Sequence, residues 1–403
     1  MSHRMTVLAD DMMPGVEACL AQWRDAQGQA PQFRLLRSDG RDLNAEYVQQ
    51  AQLLLVRSIT RVDAALLAQA PALRFVGSAT IGQDHLDLDA LAARAVAWST
   101  APGCNAQAVA EWVLATVLRQ AARTPAMTLT QLRAKRVGVI GLGHVGQRVA
   151  ALLSALGLQI YGCDPLLSAA ERATRSVAGW QAIDALLASA DIVCVHTPLT
   201  RSGPAPTWQM LNAQRLAQLQ PGAWLINAGR GDVLDAPAFI EAQRADAQRV
   251  ALLDVLPNEP LPAPELVAHC QQVSPHIAGH SLEGKWRGTW QICANAAAHF
   301  GYQQVGELAD IIPVQAPPAL TWPTAADPQA VAPYAELMAA VVDCAGDDAR
   351  LRSALTEQPG QAAAFDALRK HYATRREIAA HRLSGVPNDS SAQQLLTALG
   401  FSC

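Results

Sequence analysis

The sequence predicts an α/β protein built on parallel sheets, and three observations predict it. Short apolar runs such as TVLAD, QLLLVRS and RVGVIG recur along the chain, separated by stretches with helical spacing. Polar or glycine-rich loops follow these runs, and that is where open parallel sheets bind ligands. A glycine fingerprint, GLGHVG at Gly141 to Gly146, directly follows one of them. At 403 residues the chain should hold roughly two or three domains. Half the residues are hydrophobic and 16% are charged, enough for well-developed cores.

In the first part, TVLAD, QLLLVRS and LRFVGSAT read as buried strands, and VDAALLAQAP as a helix between two of them. From Gln107 to Ala122 the spacing is helical, with Glu111 and Arg119 as polar interruptions. A second α/β part begins at Arg136. Strand RVGVIG leads through the glycine turn into helix VGQRVAALLSALG and strand QIYGCD, and DIVCVHTP, AWLINAGR and RVALLDVL follow as strands. SLEGKWRGTWQICANAAAHFG reads as a helix with Ser281 as its N-cap, on which the chain returns to the first domain. The prolines of LADIIPVQAPPALTWPTAADP mark a boundary. Beyond it, PYAELMAAVVDCA, AFDALRKHYATRREIAA and SSAQQLLTALG are amphipathic, which predicts a small folded α/β domain rather than a disordered tail. The expected division is 1–115 with 281–308, then 116–280, then 309–403.

Composition narrows the function. A net charge of −4 with no basic stripe gives no support to a nucleic-acid partner. No apolar run approaches the ~20 residues that cross a bilayer, so no membrane partner is expected either. The opening MSHRMTVLADDMM reads as the first strand and not as a signal peptide. Eight scattered cysteines, with no CxxC pair, predict buried reduced thiols and the cytoplasm.

In the fingerprint, Gly141 permits the tight turn, Gly143 lets backbone approach a pyrophosphate, and Gly146 lets the helix pack near the strand. His144 and Val145 lie between them, where free N–H groups at the helix start face the phosphates. A lone GxGxxG is also found in ordinary turns; here it sits between strand and helix, and Asp164 follows the next strand. That carboxylate suits the adenosine ribose hydroxyls, and predicts a Rossmann-type domain for NAD rather than NADP. The residues after it, 165–168, supply no cation to reverse the preference. Thr197 and Pro198 end another strand, either bordering the cofactor or simply terminating the strand.

Three further residues follow successive strands. Arg230, after LINAG, offers a guanidinium fork for a carboxylate. His276, in SPHIAG, suits the base that takes a hydroxyl proton as hydride leaves. Glu259, in LPNEPL, would orient that imidazole and favour its protonated form. Singly, each has a plain alternative: an exposed loop arginine, a structural histidine, a surface carboxylate. Their order behind one dinucleotide turn favours the chemical reading, oxidation of a carbon that bears a hydroxyl beside a carboxylate.

With these residues the chain resembles the D-isomer-specific 2-hydroxyacid dehydrogenase family, whose catalytic Arg, Glu and His match Arg230, Glu259 and His276. The likeness also runs through VRSITRVD, FVGSATIGQDHLD, APGCNAQAVAEWV, HTPLTRSGP, PHIAGHSLEGKWRGT and the late RKHYATRRE. It implies a flavodoxin-like substrate domain and a C-terminal domain that mediates homodimerisation. Ser58 and Thr80 match substrate contacts; Asp164, Thr197, Ala228, Arg230, Asp254 and Gly279 match cofactor contacts, with Gly229 beside them. His280 stands where the family commonly places a substrate-contacting Tyr, Gly229 where Cys is usual, and Leu256 where Trp is usual. The branch most resembled implies oxidation of 4-phospho-D-erythronate to 2-oxo-3-hydroxy-4-phosphobutanoate in pyridoxal 5′-phosphate synthesis, with no metal. The alternatives are another hydroxyacid such as 3-phosphoglycerate, or an NAD(H)-sensing interaction protein.

Overall fold

Parallel strand pairing organises the chain into two compact units, residues 1–105 with 281–315 and residues 106–280 with 316–403. The computed structural model describes residues 4–313, 317–323, 326–356, 360–373, 375–387 and 390–402. Residues 1–3, part of the boundary stretch (314–316 and 324–325), Thr374 and Cys403 therefore lie outside the described residues.

The main sheet of the first unit has five strands: β1 (Met5–Asp10), β2 (Phe33–Ser38), β3 (Leu53–Val56), β4 (Phe75–Ser78) and β5 (Ala97–Ser99). Their order is β2-β1-β3-β4-β5, all parallel, which is the flavodoxin-like arrangement. The central strands β3 and β4 are buried at every position, as expected of a sheet covered on both faces. The Leu282–His299 helix belongs to this unit, and its Ile292, Cys293, Ala296 and Ala297 enter the core with β1, β3 and β4. Ser281 caps it as expected, its hydroxyl accepting from Gly284 N at 2.9 Å.

The main sheet of the second unit has seven strands: β6 (Arg136–Ile140), β7 (Gln159–Cys163), β8 (Gly179–Trp180), β9 (Ile192–Val195), β10 (Trp224–Asn227), β11 (Val250–Leu253) and β12 (Gln272–Val273). Their order is β12-β11-β10-β9-β6-β7-β8, again all parallel. The chain leaves β6 toward β7 and β8, then returns to lay β9 on β6's other side. A topological switch point therefore opens between β6 and β9, where such sheets bind dinucleotides.

The expected break near residue 115 falls inside the Ala106–Ala122 helix, which lies wholly in the second unit. That helix is apolar on nearly all sides and cannot be left half in solvent at a domain edge. Residues 316–403 form a small α/β layer: β13 (Leu320–Thr321) pairs in parallel with β14 (Leu383–Ser384), beside helices at Ala332–Val341, Cys344–Ala354, Gln361–Lys370 and Ser391–Ala398. This layer shares one contiguous core with the second unit, in which Trp322, Tyr334, Leu337 and Phe401 join Trp112, Val113 and Leu153. It also covers the sheet edge: Asp348 accepts from Val273 N at 2.8 Å, and Arg352 donates to the carbonyls of Val267 and Cys270 at 3.0 and 2.7 Å. The seven described cysteines are buried free thiols. Among the described residues no helix is long and apolar enough to cross a membrane.

Candidate active site

The site residues of the second unit line up along the carboxyl ends of its strands. Gly141, just past β6, has φ 83°, a left-handed conformation that favours glycine. A Cβ on Gly146 would lie 1.9 Å from the Gly141 carbonyl oxygen, so only glycine lets the His144–Ala155 helix start this close to the strand. A Cβ on Gly143 would meet nothing within 4 Å, leaving open space at the helix start. His144 is exposed, and Val145 packs partly into the core.

Asp164, past β7, ties its carboxylate to the same turn. Oδ2 accepts from Leu142 N at 2.9 Å and Oδ1 from Leu166 N at 3.1 Å. Cations do reach this end of the sheet, contrary to what residues 165–168 suggested. Arg172 donates to the Asp164 carbonyl at 2.8 Å and Arg175 to the Leu142 carbonyl at 3.1 Å. Arg172 lies in the Ala169–Ala173 helix and Arg175 just beyond it, past the four residues that follow Asp164.

At the switch point itself, polar groups are buried without partners. Thr197 Oγ1 and both ring nitrogens of His196 have no hydrogen-bond partner among the described residues. Burial pushes the His196 imidazole down to about 3, so it is neutral. A buried polar atom ordinarily finds a partner. A bound dinucleotide, with its many donors and acceptors, fits these orphans and the open space at Gly143. His196 was missed in the sequence, although its place between β9 and Thr197 was the available signal.

The loop after β10 is folded by Asn227, which is buried. Its side chain accepts from Gly229 N at 3.0 Å and donates to the Arg230 carbonyl at 2.9 Å. Ala228 and Gly229 complete this turn, and Arg230 Nη1 reaches the Gly229 carbonyl at 2.8 Å. After β11, Glu259 accepts from Leu256 N at 2.8 Å with Oε1 and meets His276 Nδ1 at 2.9 Å with Oε2. Burial works against its ionised form, but His276, the Leu256 amide and Arg369 together hold its carboxyl below the usual range. A carboxylate opposite Nδ1 requires the proton to sit there, which leaves Nε2 with its lone pair. His276 itself adopts φ 58°, a strained conformation for a non-glycine residue.

Asp254 holds the same loop from below. Its carboxylate accepts from Ser274 Oγ at 2.6 Å, from Ile277 N at 2.8 Å and from Ala278 N at 3.0 and 3.1 Å. Burial pushes this carboxyl up, opposed by His276. Gly279 and His280 close the loop, and the His280 ring meets Tyr372 edge to face, 5.8 Å between centroids. Ser58 and Thr80 lie in the first unit, past the adjacent strands β3 and β4. Ser58 is exposed; Thr80 Oγ1 is 2.9 Å from Ser78 Oγ and donates to Gly82 O at 3.2 Å. Among the described residues no group of three or more His, Cys, Asp or Glu side chains could hold a metal ion.

Comparison with known proteins bears on the fold and the family. Residues 104–278 match the D-isomer specific 2-hydroxyacid dehydrogenase, NAD binding domain, and residues 312–400 match a domain of unknown function, DUF3410. The cofactor-bound 3-phosphoglycerate dehydrogenase of Entamoeba histolytica shares the fold, with a TM-score of 0.62 and 18% identity over 76% of this chain and 99% of that one. The chain belongs to the D-isomer specific 2-hydroxyacid dehydrogenase family, and NAD is its cofactor. Within the family it matches erythronate-4-phosphate dehydrogenases over nearly its whole length. That of Pseudomonas aeruginosa strain UCBPP-PA14 is 41% identical over 397 residues, covering 98% of this chain and 99% of the relative. That of Pseudomonas putida strain GB-1 is 40% identical over 404 residues, with the same coverage.

Proposed function

We propose that the protein oxidises 4-phospho-D-erythronate at C2 to 2-oxo-3-hydroxy-4-phosphobutanoate, a step in pyridoxal 5′-phosphate synthesis. The observation that carries the chemistry is the 2.9 Å contact between Glu259 and His276 Nδ1, at the carboxyl edge of a dinucleotide-binding sheet. The substrate is the one named by relatives that match across both units and the C-terminal layer.

His276 Nε2 takes the C2 hydroxyl proton, and Glu259 stabilises the imidazolium that results. Arg230 pairs with the substrate carboxylate and steadies the C2 oxygen as it becomes a carbonyl. NAD, when bound, accepts the hydride from C2. Gly141, Gly143, His144, Val145, Gly146, Asp164, Thr197, Ala228, Gly229, Arg230, Asp254 and Gly279 form its contacts. Ser58, Thr80 and His280 contact the substrate, and two copies of the chain form a homodimer in the cytoplasm.

The test is a substrate panel of 4-phosphoerythronate, 3-phosphoglycerate and D-lactate with NAD, including a 2-oxoacid to reoxidise any retained NADH. The reading expects kcat/KM to be highest for 4-phosphoerythronate. Preference for either of the other acids would overturn the substrate, and no turnover of any would overturn the activity.

A further inference from the structure

The RKHYATRRE segment has no part in the proposed reaction, yet two of its side chains, Arg375 and Tyr372, reach the loop that carries His276. Arg375, only 8% exposed, donates through Nη2 to the Ala278 carbonyl at 2.7 Å and to the Ala108 carbonyl at 2.8 Å. Its Nη1 lies 3.4 Å from the Glu111 carboxylate, and Glu111 Oε1 also accepts from Ile378 N at 2.9 Å. Tyr372 meets the His280 ring edge to face, and its hydroxyl donates to Asp347 at 3.0 Å, a carboxylate that Arg350 also holds at 2.7 Å. Arg369 contributes to keeping Glu259 ionised.

A buried guanidinium has given up its hydration and depends on the partners it finds; Arg375 finds them through Nη1 and Nη2, while its Nε has none among the described residues. Here one donor is committed to the carbonyl two residues after His276. The stability of a buried ion pair is thereby tied to one conformation of residues 274–280. The loop is gripped from two sides, by Asp254 at its amides and by Arg375 at its carbonyl. Such restraint matches the left-handed backbone of His276, which a free loop would relax.

We propose that Arg375, supported by Tyr372, is a positioning residue for His276, so that the C-terminal layer completes the catalytic machinery of its own chain. This rests on the reading of His276 as the base. Arg375→Met alone would strand the Glu111 carboxylate, so it is paired with Glu111→Gln. Leu395→Ala, in the same layer's core, serves as the stability control. In the double variant kcat should fall by about tenfold or more, since small misplacements of reacting groups are costly. The NAD Kd, read by fluorescence titration, should stay within about twofold, because an orientational loss spares ground-state binding. A kcat equal to that of Leu395→Ala, compared at the same interval below each Tm, would overturn the proposal.

If the double variant does not fold, Tyr372→Phe decides instead, because it keeps the ring beside His280 and removes only the hydroxyl that Asp347 accepts. Loosening the segment in this way should lower kcat below that of Leu395→Ala while the NAD Kd stays within about twofold. An unchanged kcat sinks the idea. His276→Ala in the otherwise native chain separates the two readings. If that variant keeps turning over, the base assignment fails, whatever Arg375 does.

Discussion

With its Nδ1 proton committed to Glu259 at 2.9 Å, His276 has one nitrogen left for chemistry. His276→Ala should therefore lower kcat by about a hundredfold or more while the NAD Kd from fluorescence titration barely changes. Asp164 has a double task, because its carboxylate supports the glycine turn at Leu142 as well as suiting a ribose. Asp164→Asn keeps the acceptor for Leu142 N and removes only the charge. It should raise the NADP-to-NAD ratio of kcat/KM by about tenfold, the equivalent of 1.4 kcal/mol. Arg172 and Arg175 stand ready to meet a 2′-phosphate once the carboxylate no longer repels it. A ratio that does not change would show that Asp164 does not set the preference. The candidate residues Arg230, Glu259 and His276 stand out in the sequence because each follows a strand with a local signature. Asn227 and His196 do not, since one looks like a strand end and the other like part of an apolar run.

The Ala106–Ala122 helix shows where periodicity stops informing. Its spacing is plain in the sequence, and so are Glu111 and Arg119 as interruptions, but their partners are not. Glu111 meets Arg375 and Arg119 donates to Gln272 at 2.9 Å, both far along the chain. Strand β2 was missed for a related reason. As an edge strand it is only half-buried, and FRLLRS mixes arginines into its apolar pattern. Burial raises the Glu111 carboxyl from 4.5 to about 7, Arg375 opposing and Glu377 adding to the shift. Between those values the folded chain holds a proton that the unfolded chain has released, so stability declines as pH rises through that window. Glu111→Gln cannot ionise and should flatten the dependence. Thermal melts of both proteins from pH 4.5 to 8 would check this. Parallel curves would mean that Glu111 stays ionised throughout.

At the scale of the whole chain, Ser281 carries a cap signal legible in the sequence, and the second segment of the first unit begins there. The attachment of the last part is not legible, because a shared core leaves no mark on either stretch alone. Light scattering on the full chain should give twice the 42.8 kDa of one copy if the homodimer proposal holds, and the mass of one copy would refute it. Deletion of residues 316–403 is a poor route to a monomer. It would uncover Trp112, Val113 and Leu153, whose neighbours in the core include Trp322, Tyr334 and Phe401, and so should yield aggregate. A well-behaved truncated monomer would contradict the shared core. The same feature bears on how the chain is made. A ribosome delivers the chain from its N-terminus, and domains generally fold as they emerge. Here the first unit waits for the Leu282–His299 helix, and the second waits for Phe401. Neither unit can close while the first 280 residues are being synthesised, so the nascent protein must carry two open cores together over that span.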